Sequence, residues 1–189
     1  MKTAALADYD LYLFHQGTNY HAYEMLGAHY VEQDGERGVR FAVWAPHARN
    51  VSVVGDFNDW DTRVHPMERL SDGETWATFI PGLPSGTIYK YAIDPQWGGP
   101  RIMKADPYGF YAEKKPLTAS RTYDYPEFEW HDAEYQAAKK KGSSYEKPML
   151  TYEVHLGSWR RHLDGGYLTY RELADQLISY AKDMNYTHI

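Results

Sequence analysis

Cysteine is absent from the 189 residues, which excludes a disulfide framework, cysteine-ligated zinc, iron–sulfur clusters and thiol nucleophiles. No apolar run approaches the roughly 18 residues of a membrane span, so no membrane partner is expected. Positive charge is scarce: 20 Lys+Arg against 26 Asp+Glu leave 20 − 26 = −6, and the basic footprint of a nucleic-acid partner is missing. The N-terminus lacks the basic-then-apolar pattern of a secretory signal, which together with the missing cysteine predicts a cytoplasmic protein. Also lacking are a Gly-rich phosphate loop, a His-Glu-x-x-His pair, a Gly-x-Ser-x-Gly elbow and carboxylates at metal-ligand spacing. The nine histidines are scattered without ligand spacing and read as loop or core residues, so neither metal nor cofactor is expected.

What the chain has in quantity is aromatic side chains, including 18 Tyr and 6 Trp. Several stand beside Gly, Asn and Asp, where a core would not place them, which points to a stacking surface or an interface.

Residues 1–28 carry short aromatic-apolar patches broken at Gly17 and Gly27 and read as a lead-in of short helical turns. From Gly38 the pattern becomes period-two: Val39, Phe41 and Val43, then Val51 and Val53, then Tyr89, Tyr91 and Ile93. Turn chemistry recurs along this stretch, at Asp34-Gly35, Ala45-Pro46, Asp72-Gly73, Pro84-Ser85-Gly86 and Gly98-Gly99-Pro100. Short half-buried strands with this punctuation predict a mainly β protein, with an immunoglobulin-like β-sandwich over 29–125. Residues 126–148 read as a helical linker ending in a Lys run and a Gly-Ser-Ser loop. Over 149–189 the expectation is a strand (149–156), a loop, and a helix from Thr169. Thr169 and Glu172 would cap that helix, with Leu173, Leu177, Ile178, Ala181 and Met184 on one face. A further apolar segment begins at Tyr186, so the sequence is expected to end inside a domain, because one βα unit cannot cover its own faces.

The sharpest segment is Val53-Val54-Gly55-Asp56-Phe57-Asn58-Asp59-Trp60, a strand running into a turn that presents an indole. Some thirty residues on, Tyr89-Lys90-Tyr91-Ala92-Ile93-Asp94-Pro95-Gln96-Trp97-Gly98 places Lys90 on a strand and Trp97 in a turn. Trp60, Lys90 and Trp97 together suit a saccharide: the apolar C–H face of a pyranose packs on indole, and its hydroxyls accept from an ammonium. Each stack buries about 50 Å² of apolar surface and contributes on the order of 1–1.5 kcal/mol, which implies micromolar-to-millimolar affinity. The alternative is that Trp60 folds back as a lid on the sandwich.

Tyr12-Leu13-Phe14-His15-Gln16-Gly17-Thr18, Leu26-Gly27-Ala28-His29, Val39-Arg40-Phe41-Ala42-Val43-Trp44-Ala45-Pro46, Gly55-Asp56-Phe57-Asn58-Asp59-Trp60, Lys104-Ala105-Asp106-Pro107-Tyr108 and Tyr152-Glu153-Val154-His155-Leu156-Gly157-Ser158-Trp159-Arg160-Arg161 occur in that order. The pattern resembles the N-terminal part of bacterial 1,4-α-glucan (glycogen) branching enzymes. The resemblance implies a sandwich of carbohydrate-binding module family 48, with Trp44 turned into the core, followed by the first strand and helix of a glycoside hydrolase family 13 (β/α)8 barrel. It implies α-1,4-glucan or glycogen as partner, contact between the sandwich and the rest of the barrel, and glucan contacts at Trp60, Lys90 and Trp97. In the family an Asp nucleophile and a Glu acid/base act through a covalent glycosyl-enzyme. They stand on later barrel strands, so no catalytic residue is expected here and the chain alone is expected to be inactive. His155 and Trp159 are expected to be structural, or to support groups at the reacting face without touching substrate themselves. Two further readings stay open: a free-standing glucan-binding regulatory module, and a sandwich that only docks other domains.

Overall fold

The computed structural model describes residues 6–125 and 128–189. The start of the lead-in (1–5) and the junction at 126–127, where the sandwich was expected to give way to the linker, lie outside the described residues. The chain forms two compact units, Met1–Pro126 and Glu127–Ile189.

In the first unit β1 (Gly27–Gln33) and β2 (Glu36–Trp44) pair antiparallel around Asp34-Gly35. Both turn residues have positive φ, 53° and 82°, the mirror-image turn whose twist matches the flanking strands. With β4 (Glu68–Arg69) and β5 (Thr75–Pro81) they make one sheet in the order β1-β2-β5-β4. The second sheet runs β3-β6-β9-β8, from β3 (Ala48–Gly55), β6 (Ile88–Pro95), β8 (Tyr111–Ala112) and β9 (Ser120–Arg121). The short β7 (Ile102–Lys104) shares the second edge of β6 with β9. Val39, Phe41 and Val43 of β2, Val51 and Val53 of β3, Trp76 of β5, and Tyr89 and Tyr91 of β6 form the core between the sheets. The molecule is therefore mainly β, an immunoglobulin-like sandwich, as the period-two pattern predicts.

Strand β2 departs from that pattern, because it is buried on both faces from Gly38 to Val43. Its second face is covered by the lead-in, α1 (Asp8–His15) and α2 (Ala22–Met25). Leu11, Met25 and Leu26 form a second cluster on Ala42. Arg40 is buried with them, its guanidinium donating to the carbonyls of Glu24 (2.9 Å) and Met25 (3.1 Å). Trp44 does not enter the core. Alternation gives the inward positions to Val39, Phe41 and Val43, so the next side chain turns outward. Trp44 is 47% exposed, donates to Glu74 at 3.0 Å and meets the Phe14 ring edge-on at 5.9 Å.

The second unit holds α3 (Ala133–Lys140), within the expected linker, the one-turn α4 (Leu156–Trp159) and α5 (Tyr170–Asp183). Thr169 and Glu172 form the capping box of α5, and Leu173, Leu177 and Ala181 are its buried stripe. Ile178 and Met184 are about half exposed, because a residue one step from Leu177 is turned 100° around the helix axis and Met184 already caps the helix. The strand expected over 149–156 is reduced, among the described residues, to one parallel bridge between Thr151 and His188. A strand needs a neighbour along its length to build a ladder. Leu156–Trp159 coils into α4 where a loop was expected, with Trp159 N–H donating to the His155 carbonyl at 3.0 Å.

Candidate functional site

The outward face of the second sheet carries the candidate residues. Tyr89, Tyr91 and Ile93 of β6 turn into the core, so Lys90, Ala92 and Asp94 turn out. Val54 stands opposite Lys90 and Gly55 opposite Tyr89. The Lys90 ammonium donates to Thr118 Oγ1 at 2.8 Å, which steadies its head on the surface.

At the Gly55 end, Asp56–Asn58 forms a single 3-10 turn, and Asp59 and Trp60 follow at positive φ, 52° and 59°. Two successive left-handed residues, one of them an indole, are a strained arrangement that persists only where neighbours enforce it. Asn58 enforces it. Its buried amide accepts from Gly55 N–H (3.0 Å), donates to the Val53 carbonyl (3.0 Å) and meets His65 Nδ1 (3.0 Å). Gly55 permits the turn's close approach to β6, since a Cβ there would run into the Ile88 carbonyl oxygen. Trp60 is 37% exposed, its backbone N–H on the Gly55 carbonyl (3.0 Å) and its indole N–H on Asp56 Oδ1 (2.9 Å). The indole is thus tethered at the surface.

Trp97 stands in the connection between β6 and β7, next to Gly98 and Gly99 at positive φ. It is 75% exposed, and its ring lies 4.9 Å from that of His47. The Ala48–Pro95 pairing marks this as the opposite end of the β3–β6 ladder from Trp60. Five strand steps lead from Lys90 to Pro95, about 16 Å. Trp60 and Lys90 therefore share one end, and Trp97 stands at the other. Between them Arg101 forks onto Asp94 (2.7 and 3.1 Å) and reaches Thr62 Oγ1 (2.6 Å), pinning the Trp60 loop to the sheet. The Arg101 hydrogen bonds hold the Asp94 carboxyl below its ordinary range.

Sequence reasoning missed Asp56, Asn58, His47 and Thr118. Asp56 and Asn58 lie inside the turn motif and carry its polar signature, whereas no local signal ties Thr118 to Lys90 across 28 positions. His155 and Trp159 lie in the second unit. Trp159 donates to the Tyr152 hydroxyl (3.0 Å) and packs against Tyr180 and the Arg160 guanidinium. A cavity of about 620 Å³ follows, lined by His155, Leu156, Gly157, Tyr167, Thr169 and Leu173. Among the described residues no group of three or more His, Cys, Asp or Glu could hold a metal ion, and no helix is long and apolar enough to cross a membrane.

Residues 25–109 match the model of carbohydrate-binding module 48, the isoamylase N-terminal domain. The whole chain is similar to 1,4-alpha-glucan branching enzymes, 53% identical to that of Halothermothrix orenii and 46% identical to that of Bacillus subtilis, in each case over 189 residues. It spans 30% of the length of these relatives and corresponds to their N-terminal part. A crystal structure of a putative alpha amylase from Salmonella typhimurium shares the fold at a TM-score of 0.57 and 23% identity, covering 86% of this chain and 23% of that one.

Proposed function

We propose that these residues are the N-terminal part of a 1,4-α-glucan branching enzyme, and that the outward face of the β3–β6 sheet is its α-glucan-binding surface. The observation that carries the reading is similarity along the full 189 residues to branching enzymes. On that surface Trp60 and Trp97 stack on glucosyl rings and Lys90 donates to hydroxyls. The tethered indole of Trp60 supports this role, because a ring fixed in advance loses little conformational entropy on binding.

The parent activity cuts an α-1,4 bond and transfers the segment to a 6-hydroxyl, which needs a nucleophilic carboxylate and an acid/base partner. That pair would stand in the part of the relatives beyond the matched 30%. Within this chain the Thr151–α5–His188 crossover, with its parallel bridge, supports a first barrel βα unit over 149–189, and the cavity at His155 and Thr169 would then open on the reacting face. The sandwich presents substrate, and 126–148 joins it to the barrel.

The test is a tryptophan-fluorescence titration with maltoheptaose and β-cyclodextrin beside Trp60→Ala and Trp97→Ala. Saturable quenching that both substitutions weaken establishes the surface. A flat titration to millimolar ligand would instead make the sandwich a docking element.

A further inference from the structure

The outward face that holds Lys90 does not end at β6. Register sets Ile88 of β6 opposite Arg121 of β9, and Arg121 opposite Tyr111 of β8. Directly opposed residues share a face. Their neighbours Tyr89 and Ser120 are buried, so Ile88, Arg121 and Tyr111 face outward with Lys90. The alternation continues past β9, with Thr122 fully buried and Tyr123 and Tyr125 exposed. Tyr111 meets Tyr123 at 5.7 Å between ring centroids, and Tyr123 meets Tyr125 at 6.3 Å with ring planes only 3° apart. The three rings are 44–59% exposed. Among the described residues nothing hydrogen-bonds their hydroxyls.

A contiguous row of exposed rings is unfavourable in water unless something packs on it. The chemistry of this row selects the occupant. Flat apolar ring faces, each with a free hydroxyl that both donates and accepts, complement a neutral ligand with an apolar face and a hydroxyl rim, which is a pyranose. Two strand steps, about 10 Å, separate β8 from Lys90's strand, so one polysaccharide chain could cross from the Lys90 surface to the row.

We propose that Tyr111, Tyr123 and Tyr125 form a second α-glucan subsite on this sheet. The inference rests on the glucan-binding reading above and extends it: a polymer held at both places gains by effective concentration, whereas a short oligosaccharide fills either one alone.

The test uses the 189-residue chain in five forms: unsubstituted, Trp60→Ala/Trp97→Ala, Tyr123→Ala/Tyr125→Ala, those four alanine changes together, and Tyr123→Phe/Tyr125→Phe. Maltoheptaose binding is read by calorimetry and glycogen binding by affinity electrophoresis. The tryptophan variant is expected to retain maltoheptaose binding that the fourfold variant loses. The tyrosine variant is expected to weaken glycogen retention about tenfold, with Tyr123→Phe/Tyr125→Phe, which keeps the rings, closer to the unsubstituted chain. Thermal melts that coincide among the variants show that folding is intact. If the tryptophan variant binds nothing and the tyrosine variant matches the unsubstituted chain, the second subsite is overturned and the row is a protein contact, while the first surface stands. If the unsubstituted chain binds no glucan, both readings fall.

Discussion

The indole N–H of Trp60 donates to the carboxylate of Asp56 at 2.9 Å, four residues back along the chain. This bond fixes the plane of a ring whose backbone is already held in the left-handed region. Asp56→Ala leaves the ring present but free to rotate. Maltoheptaose affinity is expected to fall about three- to tenfold, with the melting temperature nearly unchanged because the pair is exposed. The contribution of Trp60 to tryptophan anisotropy, taken as the difference from a matched Trp60→Ala variant because the chain has 6 Trp, should fall. Unchanged affinity would show that the tether does not prepare the ring for binding.

Asn58 is the buried pin of the same turn, and its amide meets three partners. Asn58→Ala strands the Gly55 N–H and the Val53 carbonyl and is expected to cost about 2–4 kcal/mol in urea unfolding. Unlike Asp56→Ala, it should lower stability and glucan binding together.

Asp106 is buried in the sandwich core, accepting from the hydroxyls of Tyr89 (2.6 Å) and Tyr91 (3.0 Å) and from Tyr108 N–H (2.8 Å). Desolvation raises its pKa above the ordinary carboxylate value, outweighing those hydrogen bonds. The native state then holds this proton more tightly than the unfolded chain, so the contribution of Asp106 to stability declines as pH rises from the ordinary carboxylate value through its raised folded one. Urea unfolding of Asp106→Asn and the unsubstituted chain between pH 4 and 7 should show the difference moving in favour of the Asn variant as pH rises. A constant difference would refute the raised pKa. Tyr89 and Tyr91 are also shifted upward, by burial first and Asp106 second, so native stability should decline above the ordinary tyrosine range near pH 10.

Leu11 of α1 is 3% exposed in the cluster on Ala42. Leu11→Ala should cost about 2–5 kcal/mol and release amide-exchange protection in α1. Protection that survives would mean that the lead-in is held by Arg40 and the His15–Asp72 contact instead.

The sandwich strands and their turns were legible in the sequence because each rests on local chemistry. Period-two alternation names the inward residues of β2, β3 and β6. Asp34-Gly35 fixes a hairpin, Thr169 and Glu172 cap α5, and the turn before Trp60 announces itself by its Gly, Asn and Asp. Long-range placement was decided only by tertiary structure. Trp44 faces outward because its neighbours had already taken the core, and Arg40 is buried because a helix far back in sequence lies over it. Trp60 and Trp97 stand at opposite ends of a ladder, Asp106 meets two tyrosines from another strand, and Tyr111 aligns with Tyr123 through a strand register. A sequence encodes which face each residue prefers, whereas which face meets which is set by the packing of segments tens of residues apart, where no local spacing carries the information.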